Sequence, residues 1–208
     1  MKKFLLLLFI TFCFFSCTIK EENNIDVEVI NHEKINQVLK IKDFSEQKLA
    51  YSLLNKNEKF LLWNDRLKEI NNLKLSNNQK NLIKELNMLL NNKHFLDDSN
   101  DNVVLKNVLI PKYLKKLKEN FTTKQIGIIF YTLIPITPSS VTVETGDDGQ
   151  GGDNGGAKDC DCNKSSMVSC QWLNTSSCED KTCKAPTPEN QCGFLLMYPC
   201  NGSCKKVG

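Results

Sequence analysis

The sequence predicts a mainly α N-terminal region, a small helical bundle, followed by a small disulfide-rich C-terminal domain of irregular or short-β structure. Three observations carry this expectation. Apolar residues recur at spacings of three and four behind helix-capping patterns through the middle of the chain. Eight of the ten cysteines fall in the last 49 of 208 residues. Between these two zones lies a segment of glycine and acid.

The chain opens with Lys2 and Lys3, followed by a run from Phe4 to Phe15 that is apolar except for Thr11. A charged start and an apolar stretch of this length read as an export signal, too short for a comfortable membrane span. Ser16-Cys17 then places a small residue before a cysteine, which predicts a signal over 1–16 and lipidation at Cys17. The other reading is an ordinary secretory signal that contains two cysteines. Residues 17–25 read as a tether, in which Lys20-Glu21-Glu22 resembles the tag after the anchor of some surface lipoproteins. The expected location is therefore outside the cytoplasm, on the outer membrane or cell surface, held to the membrane by a lipid. An oxidising compartment follows from either reading.

Residues 26–136 are expected to form the helical domain. Ile30 to Leu54 supports one or two amphipathic helices. Asn55 to Glu58 reads as a cap for a helix carrying Phe60, Trp63, Leu67 and Ile70, and Ser76 to Gln79 as a second cap, ahead of Leu82, Leu86 and Leu89. Leu109, Tyr113, Leu117 and Phe121 form a third stripe, with Pro111 marking a helix start or break. Thr122 to Gln125 caps a last helix expected to run through Ile128, Ile129, Tyr131 and Leu133 toward Pro135. The lysines and asparagines between these stripes read as solvated helix faces.

Charge and motif content exclude several function classes. Residues 18–136 carry 19 basic and 15 acidic groups, and 158–208 carry six lysines and five acids, so no zone has the basic face that nucleic-acid binding needs. His32 and His94 stand 62 residues apart, outside any metal-ligand spacing. No nucleophile elbow, phosphate loop or zincin helix occurs. The expectation is a protein that is not an enzyme and takes no metal or cofactor.

Six of the ten glycines lie between Gly146 and Gly156, among acids and without a base, so 137–158 reads as an extended linker. A single glycine-aspartate calcium loop is the competing reading, though such loops work as stacked copies. Gly155 and Gly156 precede Ala157 in the manner of a double-glycine processing site, a candidate point of cleavage and release.

In the tail, 159–208, the spacing is Cys160-x-Cys162-x7-Cys170-x7-Cys178-x4-Cys183-x8-Cys192-x7-Cys200-x3-Cys204. An even, dense set behind an export signal predicts that all eight are paired in disulfides, whose 105 possible connectivities the sequence leaves open. Zinc is the rival, but its sites favour paired ligands two to four residues apart, often with histidine, and the tail has no histidine. Phe194, Leu195, Leu196, Met197 and Tyr198 form an apolar run in a segment too small to hide all of it. With Trp172 they are candidate target-contact residues; the alternative makes them a mini-core between the disulfides.

The Cys-x-Cys opening at Cys160 and Cys162, the cysteine intervals, and the run from Cys192-Gly193-Phe194 to Cys200-Asn201-Gly202 resemble the fulvocin C-related bacteriocin family over about 45 residues. The Asn57-Glu58-Lys59-x3-Trp63 run is similar to the region before the tail in the larger members. The final Cys200-x3-Cys204 departs from that family's closing Cys-x-Cys. The resemblance implies an exported antagonism protein acting through a receptor or membrane on a competitor cell, with an immunity protein as a further partner. A surface adhesion or ligand-binding lipoprotein without toxic activity is the alternative. Either way the tail is expected to work as a separable unit.

Overall fold

The computed structural model describes residues 29–96, 99–138, 162–163, 175–180 and 191–206. The signal, the Cys17 site, the linker beyond Pro138 with Gly155 and Gly156, Trp172 and the cysteines at 160, 170 and 183 lie outside the described residues.

The helical region is built by local capping. Helix α1 (His32–Lys40) starts at Asn31, whose side chain accepts from the Lys34 N–H, and α2 (Phe44–Ser52) starts likewise at Asp43. Helix α3 (Lys56–Asn71) opens with the expected capping box, in which Asn55 and Glu58 satisfy each other's backbone N–H groups. Glu58 also accepts from the Asn31 N–H and pairs with Lys34 at 3.4 Å, so one buried carboxylate ties the start of α3 to that of α1. Ser76 and Gln79 box the start of α4 (Asn77–Leu89), and Thr122 and Gln125 that of α7 (Thr123–Phe130).

Pro111 stands in the first turn of a helix, as expected, just past an interruption of the one before it. Helix α5 (Asn100–Val104) continues through a widened π turn (Leu105–Leu109) into α6 (Ile110–Asn120). Proline offers no N–H, and its ring crowds the carbonyl four residues back. The wider turn sends the Ile110 N–H to Leu105 O, which lets the helix pass the ring. The last helix is shorter than expected: α7 stops at Phe130, with Tyr131 as its C-cap. Tyr131 and Leu133 are nonetheless buried, in the chain beyond it.

The core holds Trp63, Leu67 and Ile70 from α3, Leu82, Ile83 and Leu86 from α4, and Tyr113, Leu114 and Leu117 from α6. Most of the expected stripe residues are among them, while Leu89 stays half-exposed. Phe194, Leu195, Leu196, Met197 and Tyr198 belong to this same cluster. The tail is thus not an independent packing unit in the described residues: part of it completes the helical core.

The tail itself contributes two antiparallel strand pairs. Strand β1 (Thr175–Asp180) pairs with β4 (Gly202–Lys206), setting Cys178 opposite Cys204, with an irregularity between Thr175 and Ser177. Strand β2 (Gln191–Cys192) pairs with β3 (Tyr198–Pro199) and frames a short 3-10 turn (Phe194–Leu196). Cys162 bridges to Gly202, and its carbonyl accepts from the N–H groups of Asn201 and Gly202.

Two disulfides are resolved, Cys162–Cys178 with Cα atoms 6.0 Å apart and Cys192–Cys200 with 5.1 Å. Cys204 is disulfide-bonded as well. Gly202 sits where no side chain fits: a Cβ there would lie 2.5 Å from Cys178 Sγ and 2.6 Å from Glu179 O. This close approach of backbone to a disulfide explains the glycine after Cys200-Asn201.

Candidate functional site

Among the described residues, the best-built polar and aromatic constellation is the seat of the loop from Gln191 to Cys200. Strand pair β2–β3 and the Cys192–Cys200 disulfide close the loop's base, and its tip enters a recess between α2, α3, α6 and α7. Phe194 is fully buried, stacked on Phe130 with ring centres 5.3 Å apart. Tyr131 and Tyr113 meet the same ring edge-on at 5.9 and 6.4 Å. Such aromatic pairs add roughly 0.5–1.5 kcal/mol each beyond the area they bury.

The tip has an unusual backbone. Gly193, Leu195 and Leu196 all have positive φ, at 75°, 53° and 51°. The left-handed region costs a residue with a Cβ about 1–2 kcal/mol, so two successive leucines there need compensation. Side chains capture both leucine carbonyls. Tyr51 Oη donates to Leu195 O at 3.3 Å and itself accepts from Trp63 Nε1 at 3.0 Å. Gln191, with its amide oriented to satisfy both ends, donates to Leu196 O at 3.0 Å and accepts from Lys59 Nζ at 3.3 Å.

The other end of the loop is fastened to the π turn. Tyr198 Oη donates to Lys106 O at 3.4 Å, and the Lys106 ammonium stands 5.4 Å over the Tyr198 ring. Within the helix, the Ile110 N–H is committed to Leu105 and Pro111 has no N–H to give. The Lys106 carbonyl, one turn before the proline, accepts from the tail. Burial holds the Tyr198 hydroxyl in its neutral form, pushing its pKa up to about 12. Burial, with Glu85 as a second cause, raises Tyr113 as well, whose hydroxyl donates to Leu82 O.

Two lysines line the seat. Lys48 is 2 % exposed, with Nζ donating to Cys192 Sγ at 3.8 Å and standing 4.9 Å over the Phe44 ring. Lys59 is 8 % exposed, 5.5 Å over the Tyr51 ring. Reading these two as solvated faces is corrected here: the tail covers them, and aromatic rings and polar atoms of the loop take the place of water. Arg66, beside Trp63, donates to Ile128 O at 3.0 Å, and burial lowers its pKa to about 10.

The structure brings together five of the six candidate target-contact residues, but facing inward. Phe194, Leu195 and Leu196 are at most 1 % exposed, Met197 is 4 % and Tyr198 is 8 %. The expectation of an exposed apolar patch is corrected, because the helices supply the cover that the small tail lacks. Nor is the run a mini-core between disulfides, since the rings it meets belong to the helical region. Sequence reasoning missed Lys48, Tyr51 and Lys59; the only local signal was a lysine four residues before Trp63 on a helix.

Chemically, this is an apolar and aromatic seat that buries the chain's own closed loop. Among the described residues no cluster of histidine, cysteine and carboxylate side chains is arranged to hold a metal ion, and no helix is long and apolar enough to cross a membrane. His94 serves structure: its Nδ1 accepts from the Asn91 N–H in a capping box, and burial lowers its pKa. Comparison with known proteins finds no matching family model, no matching curated protein and no matching solved structure.

Proposed function

We propose that the chain is an exported, lipid-anchored, bacteriocin-like antagonism protein that carries its cysteine-stapled tail docked in its own helical region. The observation that carries this reading is the seating of a disulfide-closed apolar loop, Phe194 to Tyr198, among Tyr51, Trp63, Tyr113 and Phe130. A rigid apolar loop is suited to contact with a receptor or membrane, and a helical holder keeps it covered until the tail is released. The resemblance of the Cys160 to Cys204 spacing to the fulvocin C-related bacteriocins supplies the antagonistic role. Export through the 1–16 signal, anchoring at Cys17, pairing of all eight tail cysteines, cleavage near Gly155-Gly156 and an immunity protein belong to the same reading. No catalytic step enters it.

The test uses the purified, oxidised mature protein with a protease site introduced at Gly155-Gly156, added to related strains before and after cutting. Killing by the cut protein alone supports docked storage and release. Absence of killing from both forms rejects the antagonism reading. Membrane fractionation of Cys17→Ser, which should lose the lipid and leave the membrane fraction, tests the anchor.

A second reading, a surface adhesion or ligand-binding lipoprotein, is favoured by the same burial taken differently. A loop used wholly for internal packing makes a durable body rather than a weapon. Attachment of both forms to cells without killing selects it.

A further inference from the structure

The two resolved disulfides differ in what surrounds their sulfurs. Cys162–Cys178 lies against the backbone of Gly202. Cys192–Cys200 has the buried Lys48 ammonium 3.8 Å from Cys192 Sγ. As in Cys162–Cys178, where Cys162 is 1 % exposed and Cys178 partly exposed, one end is buried and the other reachable: Cys192 is 2 % exposed, while Cys200 is partly exposed.

We propose that Cys192–Cys200 is a thiol-exchangeable disulfide, attacked at Cys200, with Lys48 stabilising Cys192 as the departing thiolate. Exchange is favoured when the leaving sulfur forms a stable thiolate. Burial alone works against that, because low dielectric disfavours a charged sulfur. The same low dielectric strengthens attraction to a neighbouring cation, and Lys48 shares the pocket.

The reductant is a solvent dithiol. One of its thiolates attacks Cys200 Sγ and forms a mixed disulfide. The Cys192–Cys200 bond breaks, and its electron pair stays on Cys192 Sγ beside Lys48. The second thiol of the reductant, as thiolate, attacks the reductant sulfur of the mixed disulfide and expels Cys200 as thiolate. The dithiol leaves as a disulfide; two electrons have passed to the protein. The β2–β3 base is then held without a covalent link, so the strained tip loses the closure that preorganises it for the seat. This holds whether the tail is toxic or not.

The test is made on the folded, full-length mature protein. Graded dithiothreitol, acid quench and alkylation, with peptide mapping, should show Cys192–Cys200 opening at least about tenfold faster than Cys162–Cys178. With glutathione, a single thiol, the first adduct should sit on Cys200. Opening of Cys162–Cys178 first or at the same rate, or a first adduct on Cys192, overturns the proposal without need of any variant. Lys48→Met should slow the opening about tenfold and raise the Cys192 thiol pKa in pH-dependent alkylation, while Lys48→Arg restores both. An unchanged rate in a folded Lys48→Met protein also overturns it; if that variant does not fold, the order of opening and the adduct position decide alone.

Discussion

Around Cys162–Cys178 the tail makes a structure of its own, whereas around Cys192–Cys200 it makes part of another. The first disulfide spans 16 residues and sits in a sheet edge, where Cys178 and Ser203 are only partly covered and Glu179 is exposed. Closing a loop of that length restricts the unfolded chain by about 3 kcal/mol. The second spans 8 residues, and its loop enters a core that four helices have already assembled. Closing so short a loop restricts the chain by about 2.5 kcal/mol, but burying Phe194 and its neighbours stabilises the fold more. In one place a disulfide ties the Cys162 bridge to a strand of the tail; in the other it shapes a plug for the helical core.

The strongest way to break this contrast is Phe194→Ala. Removing a fully buried ring should destabilise the whole helical region by about 3–5 kcal/mol, read as a lower urea midpoint of the far-UV helical signal. A helical melt that does not move would make the loop an appendage and abolish the distinction. Gly202→Ala should act on the other side. Its Cβ would collide with Cys178 Sγ and Glu179 O, at a cost of about 1–3 kcal/mol confined to the β1–β4 sheet. Slower oxidative recovery of Cys162–Cys178, with the helical melt intact, is expected; an equal loss of helical stability would show that the two halves of the tail are one unit.

Tyr51→Phe sharpens the account of the strained tip. It leaves Leu195 O and Trp63 Nε1 without their shared hydroxyl, for about 1–3 kcal/mol, and should disturb the Trp63 near-UV band. Tyr198→Phe is the mildest change, since a single hydrogen bond to Lys106 O is lost, about 1 kcal/mol. It also carries a pH signature. The folded-state pKa of Tyr198 is raised to about 12 from an ordinary value near 10. Its contribution is therefore complete below about pH 10 and is lost as the pH climbs through 12, because the unfolded chain gives up the proton first. Urea midpoints measured from pH 9 to 12 should fall less steeply in Tyr198→Phe than in the parent; identical slopes would remove Tyr198 from the alkaline transition.

What could be read from the sequence was whatever short-range chemistry decides. Asn55 with Glu58, Ser76 with Gln79 and Thr122 with Gln125 are pairs three residues apart, and each forms the box it predicts. Stripes such as Trp63, Leu67 and Ile70 need only a helix and an apolar partner, whichever partner that is. The crowded cysteines announced disulfides in the same local way, although not which sulfur meets which. The shorter α7 shows where local rules stop: Tyr131 and Leu133 are buried in the chain beyond the helix that their spacing had extended. The seat is the extreme case. Tyr51 meets Leu195, and Lys48 meets Cys192, across 144 residues of chain, and no periodicity records such a meeting. An apolar run in a small domain looks exposed until the surface that covers it is known. Likewise a lysine on a helix looks solvated until a ring and a sulfur take the place of water. Composition and spacing determined that this protein has a helical region and a stapled tail. Only the packing of distant apolar surfaces, driven by their shared removal from water, decided that the two form one core.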